Sequence, residues 1–366
     1  AIDSEAWDPW TLRVRNYIST CFPFRKELFP GWRTELKSLQ DWDFWLSLVE
    51  RAEALGWDKN TVGRFVKGYA FSTSYPTLKS ISGIGCAKEN WLDRFNAVRD
   101  AHNIPKRDTC VSSLQYRHDG LLLAKLIDAD YQDIPNDKPH EYKNIIQVGF
   151  SLSPGIVERH AGIFSEKGVK KFLFWTGDDI NQIWHNTNLN AIAAYAKLLN
   201  ASVTQFVEDK RAEQLMRDAG FKVMILPMPL PIGDVSPLPE KPVFAFDLDN
   251  NYGRSFVAIE KSLPDVEIVA IDGPQPLSKY TGLFHFYADK SMSNILKRAL
   301  LTGRHVISNV QQPFCGFVDD SGGHEAFIEG VVAEVRKRLA TVPNPQAREY
   351  YKKTLGPAKL MEALSC

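Results

Sequence analysis

The chain has 366 residues, 44% of them hydrophobic, and its 44 basic side chains balance 44 acidic ones. One hydrophobic core serves roughly 250–300 residues, so two or more lobes are expected. The charge balance argues against a protein held to nucleic acid by bulk electrostatics, and no run of about 18 apolar residues offers a membrane span.

The first residues, Ala1 to Asp8, show neither the cationic start nor the apolar stretch of a secretory signal. Five widely spaced cysteines without a CxxC argue against a disulfide framework or zinc cluster and for a reducing, cytoplasmic setting. Tryptophan is unevenly spread: seven of nine (Trp7, Trp10, Trp32, Trp42, Trp45, Trp57, Trp91) lie in the first 91 residues. The stretch 1–106 lacks strand–helix alternation and reads as an aromatic-rich extension, mainly helical or irregular. Helices are expected at 42–55 and 89–102, with an extended stretch at 61–82 between them.

From residue 107 short apolar runs alternate with amphipathic stretches. Strands are expected at 109–114, 144–151, 171–176, 201–207 and 222–226, and helices at 120–127, 154–167, 179–199 and 209–219. Such runs between helices are the pattern of buried parallel strands in βαβ units. Residues 227–242 are rich in proline, which neither a helix nor a central strand tolerates, and 230–241 reads as a linker. The alternation then restarts, with strands at 242–248, 266–271, 282–287 and 305–309 and helices at 255–261, 292–301 and 324–339. The expected fold is α/β, with two Rossmann-like doubly wound lobes at 107–229 and 242–342. A ligand cleft is expected between them at the carboxyl ends of the strands, and the tail 343–366 is expected to be helical.

The segment 284–309, FHFYADKSMSNILKRALLTGRHVISN, reads as a strand, a small polar loop, a helix through Ala299, a turn at Gly303 and a strand ending at Ser308. With the two-lobe pattern over about 107–339, it resembles nucleotide-sugar glycosyltransferases of the GT-B type. The resemblance implies that Ser291, Met292, Ser293 and Asn294 at the helix start hold the donor diphosphate, as helix N-termini hold phosphates. An ordinary βαβ unit fits the same residues. Many retaining GT-B enzymes carry glutamate at the helix start and again eight residues on. The matching residues here are Lys290 and Arg298, so either ribose recognition differs or activity has been lost.

A second match runs from Phe246 to Arg254, FDLDNNYGR, where such enzymes place a cation against the diphosphate. Arg254 is the candidate, because a guanidinium fork suits phosphate oxygens. Lys297, Arg298 or Arg304 would support it, with Asp272 also on the donor side. The DLD pattern is also similar to the opening of haloacid-dehalogenase phosphatases, with Asp247 as nucleophile and Asp249 as acid, although Asn251 stands where that family expects Thr or Val. A metal-binding DxD of the GT-A type and a plain strand end with Asp and Asn turn chemistry are further readings.

Residues 22–29, FPFRKELF, and then Gln40-Asp41-Trp42-Asp43-Phe44-Trp45-Leu46 resemble the back end of inverting GT-A glycosyltransferases, whose (E/Q)DWDxWLRL motif lies near the acceptor. Over about 15–105 this resemblance makes Asp41 the counterpart of the general base. Trp42 and Trp45 either stack on a sugar ring or, the favoured reading, pack in a core. Only 40 residues precede Asp41, too few for a donor half. The chain is therefore expected either to begin inside a longer enzyme or to carry a remnant, and the segment is read as a truncated GT-A module fused to a GT-B-like unit, with Asp41 a vestigial base.

Tyr116, Arg117, His118 and Asp119 fall between the first strand and first helix of the first lobe. His118 suits a base near neutrality, with Asp119 as its orienting partner or the base itself; capping of the following helix by Asp119 is an equal reading. Tyr116, Arg117 and Asp178 would stand on the acceptor side, with Asp178 or Asp179 also reading as a helix cap. The expectation is a metal-independent glycosyltransferase that moves a hexose from a nucleoside diphosphate, UDP foremost, to a hydroxyl acceptor. A glycan, a lipid-linked sugar, a small molecule or a hydroxylated DNA base in a bacterial or phage-infected cell all fit. No cofactor beyond the nucleotide sugar is expected. The rival is a non-catalytic scaffold built from degenerate transferase modules. No P-loop, HExxH, GxSxG or complete GxGxxG supports a triphosphatase, zincin or α/β-hydrolase.

Overall fold

The computed structural model describes residues 7–14, 24–33, 36, 40–63, 91–113, 117–132, 141–150, 162–186, 188–231, 237–248, 252–271, 277–287, 293–339 and 345–365. Most of the extended stretch expected at 61–82 and of the helix expected at 154–167 lies outside them. The chain forms two compact units, residues 1–147 with 159–170 and residues 148–158 with 171–366.

The described strands make two parallel sheets, so the chain is an α/β protein. The first sheet holds β1 (Thr109–Ser113), β2 (Asp130–Gln132), β3 (Asn144–Val148), β4 (Lys170–Phe174), β5 (Thr204–Val207) and β6 (Val223–Ile225), in the order β2-β1-β3-β4-β5-β6. The second holds β7 (Val243–Leu248), β8 (Glu267–Ile271), β9 (Gly282–Phe286), β10 (His305–Ser308) and β11 (Gly316–Phe317), in the order β11-β10-β9-β7-β8. In register, β7 sets Asp247 against Ile271 on one side and His285 on the other. Phe244, Phe246, Phe284 and Phe286 alternate along β7 and β9 and form one ring ladder, with Phe244 on Phe284 at 4.9 Å and Phe284 on Phe286 at 6.2 Å. All four are buried, each worth roughly 1.5–3 kcal/mol relative to exposure. Gly282 lets the strands close here: a Cβ would fall against the Phe244 ring and the His305 carbonyl.

The helices are α1 (Pro9–Val14), α2 (Gln40–Ala54), α3 (Trp91–Ala101), α4 (Arg117–Leu126), α5 (Gly177–Trp184), α6 (Leu189–Ser202), α7 (Lys210–Asp218), α8 (Gly253–Ser262), α9 (Asn294–Leu301), α10 (His324–Leu339), α11 (Pro345–Thr354) and α12 (Ala358–Ser365). Ile259 of α8 and Phe327, Val331 and Val335 of α10 cover the ring ladder. Around α2 a separate aromatic core gathers Trp42, Phe44, Trp45 and Phe95 with Leu12 and Leu28. The Trp42 indole donates to the Leu12 carbonyl at 2.5 Å. The favoured packing role of Trp42 and Trp45 agrees with their burial.

Several elements differ from expectation. The single helix expected at 179–199 is two, α5 and α6. Asn186 Oδ1 accepts from the Asn188 N–H at 2.8 Å and Asn188 Oδ1 from the Ala191 N–H at 3.1 Å, which ends one helix and caps the next. α4 begins at Arg117 rather than residue 120. β2, β11 and α1 were not anticipated, because their sequences are short or polar. Asp130 nonetheless sits buried in β2, where Arg99 bridges it at 2.5 Å and the Tyr142 hydroxyl donates to it at 3.2 Å.

Candidate functional site

In each sheet the first strand lies between the second and third, β2-β1-β3 and β8-β7-β9. Crossovers therefore leave β1 and β7 in opposite directions, and in such sheets ligands bind at the carboxyl ends beside that switch point. The second sheet builds a polar rim there, from side chains that follow four different strands. The Tyr287 hydroxyl, just past β9, donates to Asp247 Oδ2 of β7 at 3.0 Å. Asn309, just past β10, is the hub. Its Oδ1 accepts from the Tyr287 N–H at 3.2 Å, and its Nδ2 donates to the Tyr287 carbonyl and the Asp320 carboxylate at 2.8 Å and to the Tyr252 hydroxyl at 3.0 Å. Tyr252, at the start of α8, in turn donates to Asp320 at 2.6 Å. Burial pushes the Asp247 carboxyl above its ordinary pKa, and the Tyr287 hydrogen bond partly offsets this.

Beneath the rim, His285 of β9 is buried and bridges two serines, with Nε2 2.7 Å from Ser293 Oγ and Nδ1 3.3 Å from Ser308 Oγ. Its ring stacks on Tyr287 at 4.5 Å. Ser293 is the N-cap of α9, accepting from the Leu296 N–H at 3.4 Å. Of the donor-side candidates, Arg254 is exposed in the first turn of α8, directly after β7, while Asn294 and Arg298 are half-buried on α9. Asp272, Ser291 and Met292 lie outside the described residues. Lys297, a supporting cation in the sequence reading, is instead fully buried, with its ammonium 2.8 Å from Glu208 Oε2 just past β5. Burial raises the Glu208 pKa, and the lysine pulls the other way. Arg304 is buried too, and its guanidinium donates to the Pro237 carbonyl at 3.4 Å.

At the first sheet's switch point, Asp119 is half-buried in the first turn of α4. The backbone of Arg117 and His118 opens that helix, their side chains are not described, and Tyr116 lies outside the described residues. Gly120 packs α4 directly on β1, where a Cβ would collide with Ser113. Asp178 lies in α5 with its side chain outside the description. Its neighbour Asp179 is buried and accepts at one oxygen from the Thr176 N–H (3.1 Å), the Thr176 hydroxyl (2.8 Å) and the Phe150 N–H (2.9 Å). Gly149 gives its N–H to the Phe174 carbonyl, so both main-chain donors at this strand end serve the fold.

Near α2, Asp41 is half-buried in the first turn. Its neighbour Asp43 is buried 2.8 Å from His102 Nε2 and 3.5 Å from Arg33 Nε, while His102 Nδ1 meets Glu50 at 2.8 Å. This cluster ties α2 to the end of α3. Among the described residues no three His, Cys, Asp or Glu side chains converge as metal ligands, and no described helix is long and apolar enough to cross a membrane.

Sequence reasoning did not single out Tyr252, His285, Tyr287, Asn309 or Asp320. Their shared signal is position: each but His285 stands within a few residues past a strand.

No protein-family profile matches the chain, and no curated protein does. Among solved structures it is similar to TarM, with a TM-score of 0.44 and 9% identity over 60% of this chain and 53% of that one. It is also similar to the pneumococcal O-GlcNAc transferase GtfA in complex with UDP and GlcNAc (0.43, 11%, 61% and 56%) and to the GtfA/B complex (0.40, 10%, 61% and 56%). The matched part spans just over half of each of those chains.

Proposed function

We propose that the chain transfers a sugar from a nucleoside-diphosphate donor, a UDP-sugar foremost, to a hydroxyl acceptor, in the GT-B manner and without a metal. The observation that carries this reading is the rim of the second sheet. An exposed guanidinium, Arg254, and a serine-capped helix start, at Ser293 and Asn294, both follow strands that meet at a switch point. Helix N–H groups and a guanidinium fork offset the charge that builds on a departing diphosphate. Tyr252, Asn309 and Tyr287 would hold the two helix starts at a fixed separation. His118 and Asp119, at the switch point of the first sheet, would serve the acceptor hydroxyl as base and orienting group.

A non-catalytic scaffold is the second reading. What favours it is Lys297, in the first turn of α9, whose charge Glu208 already neutralises. A thermal-shift panel of UDP, GDP, ADP, CMP and their sugar conjugates, with and without Mn²⁺, separates the two, since a ligand selective for the native state raises the melting point. The transfer reading expects a shift with one nucleotide that needs no metal. Arg254→Ala should then weaken that nucleotide about 10–100-fold, as loss of a charge-assisted hydrogen bond does. A flat panel leaves the scaffold standing, and an unchanged Arg254→Ala affinity removes that residue from the donor site.

A further inference from the structure

The His285 ring is fully buried between two serines and lies on Tyr287 at 4.5 Å and 25°, which fixes its plane. A neutral imidazole has one donor and one acceptor nitrogen, and its partners decide which is which. Here both partners are hydroxyls, each with a single proton to give. Ser308, in β10, is fully buried. Its oxygen accepts from the Val310 N–H at 3.0 Å, and among the described residues the acceptor that its own proton reaches is His285 Nδ1. A buried donor left without an acceptor is costly, so Ser308 donates to Nδ1. The ring proton then sits on Nε2, which donates to Ser293 Oγ at 2.7 Å.

That oxygen also accepts the Leu296 N–H at 3.4 Å, so both of its lone pairs are taken. The Ser293 proton itself has no acceptor among the described residues, and the side chain is half-buried before the first turn of α9. We propose that His285 is a positioning residue for the donor: by donating from Nε2 it compels the Ser293 hydroxyl to give its proton to an anionic oxygen of the nucleoside diphosphate. With the other tautomer Ser293 would give that proton to Nε2 and turn a lone pair outward, which a phosphate oxygen avoids. A capping serine ordinarily rotates its proton to suit its surroundings. Here the proton is already aimed, so binding requires no reorientation. Arg254, exposed in the first turn of α8 after the neighbouring strand β7, adds a cation at the same strand ends. The identity of the anion rests on the transfer reading, whereas the tautomer follows from the hydrogen bonds alone.

Two measurements on the full chain test this. Nitrogen-15 NMR of histidine-labelled protein, with the His285 signals identified by their loss in His285→Gln, should show Nε2 protonated and Nδ1 bare. The opposite tautomer, or a doubly protonated ring at neutral pH, overturns the proposal in the unmutated chain. UDP is then titrated by calorimetry. Ser293→Ala should weaken it about ten-fold, and Ser308→Ala, which lets the ring exchange tautomers, about three-fold. The double variant should bind no more weakly than Ser293→Ala alone, because Ser308 and His285 act through the Ser293 hydroxyl. Additive losses would make both residues structural and overturn the positioning role. UDP binding by a parent that carries the opposite tautomer removes that role alone, and a parent that binds no UDP removes it together with the transfer reading.

Discussion

Two aromatic assemblies in this chain end differently. The ring ladder of the second sheet closes on itself, because β7 and β9 turn their phenylalanines toward one face and α8 and α10 cover it. The assembly around α2 starts in the same way, with Trp42, Phe44 and Trp45 buried, but its outer shell of Phe24, Phe29 and Trp32 stops in water. Aromatic content alone therefore says nothing about binding. What separates a core from a surface is whether a second element arrives to cover the rings.

The sharpest way to break that comparison is Phe284→Ala. A closed ladder predicts a loss of about 3–5 kcal/mol in chemical denaturation, the range for truncating a buried phenylalanine. Glu208→Gln comes next: leaving the fully buried Lys297 ammonium unpaired should cost about 3 kcal/mol, and Glu208→Leu with Lys297→Met should recover most of it. If the double replacement is as unstable as the single one, the pair is not the unit that matters. Trp32→Ala, at a half-exposed ring resting on Phe44, should cost less, about 1 kcal/mol, and a loss near that of Phe284→Ala would mean the outer shell is core after all.

The smallest effect is expected at Asp247. Its folded pKa lies above the ordinary 3.8, so the folded state favours the protonated form, and this carboxyl opposes folding increasingly as pH rises through that interval. Asp247→Asn should then stabilise the protein at neutral pH, with the gain vanishing below about pH 3.8, in denaturation curves taken across pH. A gain that is independent of pH would assign the effect to packing.

Much of the second sheet was legible because its inner strands β9 and β10 are buried on both faces and its strands read as short apolar runs. β7 through β10 fall within a residue of expectation, and α10 spans the predicted 324–339. The break between α5 and α6 was written in the Asn-rich run after His185, but two side-chain caps there outweigh a helical period that continues past them. β2 escaped because Asp130 looks like a surface residue until Arg99, far along the chain, is brought to it. Strand ends marked where the candidate site lies, yet not which side chains build it. Asn309 becomes a hub only when three other loops arrive, and no local pattern records that. Lys297 and Arg254 are alike in sequence, and burial alone tells them apart.

The Asn309 hub also bears on how the rim opens. One amide group holds the segments that follow β7, β9, β10 and β11, so no single segment swings out without severing bonds that hold the others. Local unfolding there should be shared, and the protected Tyr287 amide should exchange its hydrogen only when the whole rim lets go. A molecule seated on any one of these segments would then slow exchange in all four: the rim would behave as one latch.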